Sequence, residues 1–138
     1  MPRALTDDEY ALVAAAEDVL RQHYRLKWHT VAAALRLADG SIVTGLHLGA
    51  VVGRLQVCAE SIAVGRAILQ GGGTIFAAVA VRHRKPEETG PQMAVVAPCG
   101  ACRELLADYA PQAGVIVPTA EGLEVWPVQA LLPLPYQR

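Results

Sequence analysis

The chain has 138 residues, 53% of them hydrophobic, which excludes a disordered protein and suits one domain spanning residues 1–138. Twelve basic residues balance thirteen acidic ones for a formal charge of −1, with no basic run, so the electrostatic footprint of a nucleic-acid binder is missing. No segment reaches the roughly 18 apolar residues of a membrane span, and Met1 to Asp8 lacks the apolar core of a leader, so a cytoplasmic protein with no membrane or nucleic-acid partner is expected.

Thr6-Asp7-Asp8-Glu9 has the pattern of a capping box, and Leu12, Val13, Ala16, Val19 and Leu20 follow at helical spacing. A first helix over about Asp7 to His23 is predicted. Thr30 to Leu37 and Ser41 to Leu48 flank the turn Ala38-Asp39-Gly40 and read as an antiparallel hairpin. Residues 49–57 read as a loop. A second helix is expected from near Cys58 to Gln70, stopped by Gly71-Gly72-Gly73. Ile75 to Val81 and Met93 to Ala97 are unbroken apolar runs, as strands buried on both faces would show. The polar, proline-containing stretch Arg84 to Gln92 between them should be an exposed loop. A third helix runs from Cys99 to about Tyr109, and Gly114 to Pro118 is the fifth strand. A Glu121-Gly122 turn leads into Leu123 to Trp126, and Val128 to Leu132 fits a last helical turn. This order predicts a three-layer α/β/α fold around a mixed, five-stranded sheet.

All three cysteines fall in two motifs, Cys58-Ala59-Glu60 and Pro98-Cys99-Gly100-Ala101-Cys102, each opening a predicted helix. An odd count fits reduced thiols better than a disulfide framework. Helix starts carry free N–H groups and partial positive charge, which stabilise thiolates. Three thiolate ligands for Zn²⁺ leave the fourth position open, the arrangement of a catalytic zinc rather than a structural one. Glu60, two residues beyond Cys58, can then act as a base that takes a proton from water and passes it to a departing amine. A redox Cys99-Cys102 pair would leave Cys58 and Glu60 unexplained, and a closed structural zinc site needs a fourth ligand.

The joint pattern is that of the zinc nucleobase deaminases, with a glutamate that does not bind the metal. By these motifs the chain resembles the cytidine deaminase family, in its small three-cysteine form that includes the blasticidin S deaminases. The resemblance extends from about residue 5 to 136. It takes in the hairpin turn, Thr44-Gly45, both cysteine motifs through Arg103, and the ending Leu131-Leu132-Pro133-Leu134-Pro135-Tyr136. It implies the cytidine deaminase-like fold, a Zn²⁺ cofactor and hydrolysis of a ring C–NH₂ to C=O with release of ammonia. It further implies a small-molecule substrate and a homotetramer with active sites at subunit interfaces.

The family's sugar-binding Asn-x-Glu falls at His47 and Gly49, its base-facing aromatic at His29, and its charge-offsetting arginine at Ser61. Glu104 stands where relatives carry glutamine. The metal and proton machinery is therefore expected to be intact and the sugar grip changed. An antibiotic such as blasticidin S or another amino-heterocycle then stands beside a cytidine-like nucleoside as substrate. The substrate contacts implied are His47, His29, Ala59, Tyr136 and Arg54, with Gln56 beside Arg54 in the same loop. Arg103 is open between anchoring the cysteine loop and touching substrate, and Tyr136 between stacking on a base and plain packing. Trp28 and Trp126 read as packing residues.

Overall fold

A computed structural model describes all 138 residues. The elements in chain order are α1 (Asp7–His23), β1 (Val31–Leu37), β2 (Ile42–Leu46), α2 (Ala59–Gln70), β3 (Ile75–His83), β4 (Met93–Val96), α3 (Gly100–Tyr109), β5 (Gly114–Thr119) and β6 (Gly122–Pro127). Short 3₁₀ turns occupy Gly53–Leu55 and Val128–Leu131. The second of these is the last helical turn expected from the sequence.

α1 starts where its cap predicts. The Thr6 backbone N–H donates to Glu9 Oε1 at 2.8 Å and the Thr6 hydroxyl donates to the same oxygen at 3.0 Å. Arg3 then clamps the Glu9 carboxylate, with Nη1 and Nη2 at 2.8 and 2.6 Å. α2 stops at Gly71, whose φ of 77° is the left-handed conformation that closes a helix at little cost for glycine.

The sheet has six strands in the order β2-β1-β3-β5-β6, with β4 on the edge of β3 beyond β5. Only the β3–β5 pair is parallel. The expected count of five is corrected here. β6 follows β5 through a tight turn and pairs with it along six residues, from Gly114↔Pro127 to Thr119↔Gly122. Leu123 to Trp126 alternates too weakly to stand out as a strand, and the ladder to β5 is what makes it one. β4 is also less enclosed than its apolar sequence suggests, since Ala94 is exposed and its neighbours are half-buried. It pairs only with the far end of β3, so little covers it.

Alternation along the strands sorts the core into two layers. Ala32, Ala34, Ala77, Val79, Val81 and Ile116 face α1 through Leu12, Ala16 and Leu20. Ala33, Leu35, Leu37, Ala78, Val115 and Val117 face the other way, onto Ala59, Ala63 and Val64 of α2 and Leu106 of α3. This is the expected three-layer arrangement. The small residues of β1 and β2 let α2 approach closely. A Cβ at Gly45 would lie 2.3 Å from the Ala59 carbonyl oxygen and 2.5 Å from the Ala63 nitrogen. Gly45 thus sets the height of α2 over the sheet, and with it the position of everything at the start of that helix.

Candidate active site

Two helix starts converge at the C-terminal side of the apolar layer. Cys58 is the N-cap of α2 and Cys99 the N-cap of α3, both in extended backbone. Cys102 lies one turn into α3, so its side chain returns over the face that Cys99 opens. The three sulfur atoms all lie within 4.8 Å of one another, and the Cys58 and Cys99 Sγ atoms are 3.8 Å apart. A tetrahedral zinc with Zn–S bonds of about 2.3 Å needs its sulfurs about 3.8 Å apart, so the donor set fits that ion. The three cysteines are free and no fourth histidine, cysteine or carboxylate joins the cluster, so a metal held there keeps an open position.

The thiols do not share one environment. Burial pushes the Cys102 thiol far above its usual range, and the nearby Glu60 charge and the Cys58 sulfur add to that. Burial raises Cys58 as well. Burial acts upward on Cys99 too, but the backbone N–H of Cys102, the neighbouring sulfurs and the backbone N–H of Ala101 outweigh it, and Cys99 is held below the usual value. The first turn of α3 therefore supplies part of the positive potential that an arginine at position 61 would give. Three sulfurs this close repel one another as thiolates, and a bound cation removes that conflict.

Glu60 is 6% exposed, and it differs from Glu9, the other buried carboxylate, in having no hydrogen-bond partner within the protein. It lines a cavity of about 160 Å³ together with Cys58, Cys99, Ala59, His47 and a wall of Val31, Ala80, Val96 and Ala97. A cavity of about 150 Å³ accepts a benzene ring, so this one is of the size of a single six-membered ring.

The structure gathers Cys58, Cys99, Cys102, Glu60, Ala59 and His47 at this one place. His29 stands just behind, its Nδ1 donating to the His47 carbonyl oxygen at 2.9 Å, and does not line the cavity. Arg54 is exposed on the 3₁₀ turn, also outside it. Tyr136 is 83% exposed and borders a separate cavity of about 460 Å³, between the tail and Glu104 and Asp108 of α3. Arg103 donates from Nε to the Pro98 carbonyl at 2.8 Å and from Nη1 to the Leu131 carbonyl at 3.1 Å, so it anchors the cysteine loop to the tail. Sequence reasoning missed the apolar wall, because Val31, Ala80, Val96 and Ala97 carry no chemical signature and meet only through strand pairing.

The chain is 37% identical to the blasticidin-S deaminase of Bacillus cereus over 134 residues, 97% of this chain and 96% of the relative. The chain belongs to the cytidine deaminase family. Among solved structures, the cytidine deaminase of Burkholderia pseudomallei is 27% identical with a TM-score of 0.73, covering 96% of this chain and all of that one (100%). The cytidine deaminase of Mycobacterium tuberculosis, at 23% identity and a TM-score of 0.74, shares the fold over 96% of this chain and 100% of its own. No family model matches the sequence. Membership of the cytidine deaminase family makes the chain an enzyme of deaminase type, and the redox reading of Cys99 and Cys102 is not favoured. No helix is long and apolar enough to cross a membrane.

Proposed function

We propose that the chain is a zinc-dependent hydrolytic deaminase that converts the ring C–NH₂ of a cytosine-like substrate to C=O and releases ammonia. The observation that carries this reading is a largely buried carboxylate with no hydrogen bond to the protein, in a ring-sized cavity that Cys58 and Cys99 of the sulfur triad also line. Cys58, Cys99 and Cys102 would hold the metal, which supplies Lewis-acid activation of water when bound. Glu60 takes a proton from the attacking water and returns protons to the ring and to the amine as the C–N bond breaks. The apolar wall of Val31, Ala80, Val96 and Ala97 excludes bulk water and seats the ring edge-on to Glu60. Ala59 at the start of α2 presents its backbone beside the ring.

The ring bears a substituent other than plain ribose in this reading. Its support is the relative named blasticidin-S deaminase, matched over nearly the whole chain, and the His47 and Gly49 pair in place of a family Asn-x-Glu. The 138 residues act as one domain and assemble as a tetramer. The exposure of Cys99 at the cavity mouth supports a site completed by a neighbouring subunit, where Tyr136, Arg54 and His29 are the candidates to meet substrate. A cytoplasmic setting follows from the need for reduced thiols.

The deciding variant is Glu60→Gln. It should keep about one zinc per chain, by elemental analysis, and lower kcat by about 10²–10⁴-fold on whichever of cytidine or blasticidin S the wild type deaminates. Near wild-type turnover in that variant would remove Glu60 from the mechanism.

A further inference from the structure

The three sulfurs of the cluster differ in what can reach them. Cys58 and Cys99 line the ring-sized cavity and Cys102 does not. Cys99 is exposed and Cys58 half-buried, whereas Cys102 is 2% exposed. A small oxidant that enters the cavity meets Cys99 and Cys58, and not Cys102.

The same two side chains are also the ones free to turn. Each is an N-cap in extended backbone. A cap residue has no preceding helical turn for its side chain to strike, so its χ1 wells stay open. Cys102 lies inside α3, where the turn before it restricts χ1. The Cys58 and Cys99 Sγ atoms already stand 3.8 Å apart. Sequence spacing pairs Cys99 with Cys102, three residues on. The fold instead sets the reachable thiol of Cys99 against one 41 residues away in the chain.

We infer that Cys58 and Cys99 form an oxidant-sensitive thiol pair, which hydrogen peroxide converts to a disulfide that joins the starts of α2 and α3 and disables the metal site until a dithiol reduces it. The Cys99 sulfur attacks one peroxide oxygen. An S–O bond forms, the O–O bond breaks, and the departing hydroxide takes the Cys99 thiol proton to become water. The Cys58 sulfur then attacks the sulfenic sulfur of Cys99. The S–S bond forms, the S–O bond breaks, and the oxygen leaves as a second water with the Cys58 proton. Two thiols are thus oxidised by two electrons in all, and one peroxide is reduced to two waters. The disulfide consumes two of the three sulfurs that would hold the metal and leaves Cys102 alone. The loss of activity rests on the zinc deaminase reading, and the bond itself does not.

Treatment of zinc-stripped and zinc-loaded wild type with hydrogen peroxide, followed by thiol counting, alkylation and peptide mapping, tests it. Trypsin separates Leu55–Arg66, which carries Cys58, from Lys85–Arg103, which carries Cys99 and Cys102. The stripped protein should lose two of its three free thiols, join those two peptides, and carry the alkyl label on Cys102. The loaded protein should release about one zinc per chain to a chromophoric chelator in step with the bond. Dithiothreitol and then zinc should restore its deaminase activity. A bond closed within the 85–103 peptide, an alkyl label on Cys58 or Cys99, or three thiols that survive peroxide overturns the inference. A chain that forms the bond yet takes up no zinc overturns the metal reading, and the shut-off of activity falls with it.

Discussion

Cys102 is 2% exposed and its thiol is held far above the usual range by burial and by the charge of Glu60. Glu60 in turn stays buried without a partner, while Glu9, equally enclosed, is fully paired to Arg3 and Thr6. The two carboxylates show the same residue type paired within the fold in one place and left free to act on a ligand in the other. Cys102→Ala should reduce zinc affinity by more than the roughly 10–100-fold typical of outer-shell losses, since it removes a direct ligand. Competition with a chromophoric chelator measures this, and retention of wild-type affinity would exclude Cys102 as a ligand. The place of Glu60 beside the cysteines was legible in the sequence because it sits at a fixed offset from Cys58. The bond of Gln56 to His47 was not legible, since it depends on the loop folding back.

At the scale of elements, the caps and close approaches carry the site. Glu9 closes the start of α1, and the Arg3 guanidinium, with the Thr6 N–H and hydroxyl, lowers its pKa from 4.5 to about 2. A depressed carboxylate pKa stabilises the fold above the unfolded value near 4.5, and that contribution fades as pH falls from there towards 2. Glu9→Gln should therefore cost about 1–2 kcal/mol at neutral pH and progressively less on acidification. Urea melts at pH 7 and pH 3 check it, and an equal cost at both would deny the charge its part. Gly45→Ala presses a methyl group into the Ala59 carbonyl and must lift α2. Such overpacking costs about 1–3 kcal/mol. The start of α2 carries Cys58 and Glu60, so activity should fall together with Tm, and a variant with unchanged Tm would contradict the packing described. The extents of α1, α2 and α3 were readable from capping and helical spacing to within a residue or so. β6 was not, because a short, weakly alternating segment becomes a strand only when β5 is beside it.

For the whole molecule, the two core layers account for the sheet and three helices, yet a good deal of apolar surface remains open. Ile68 and Leu69 of α2 and Val51, Val52 and Leu55 of the loop before it are all more than half exposed. Patches of this kind mark contact surfaces. A tetramer is expected by light scattering at micromolar concentration, and charged substitution of Leu69, at 90% exposure, should shift the mass towards smaller species without unfolding the chain. A wild type that remains monomeric throughout would overturn the tetramer.

The sequence by itself marked out the candidate centre: three cysteines and a glutamate near two helix starts, in the pattern of the cytidine deaminase family. It also determined the helices and the three-layer order, because periodicity and caps are local. Only the tertiary structure decided the size of the cavity, its apolar wall and the hold on His47. Those depend on residues far apart in the chain, Thr30, His47, Gln56 and Ala80, being brought together by strand pairing and loop packing, and no local pattern records such contacts.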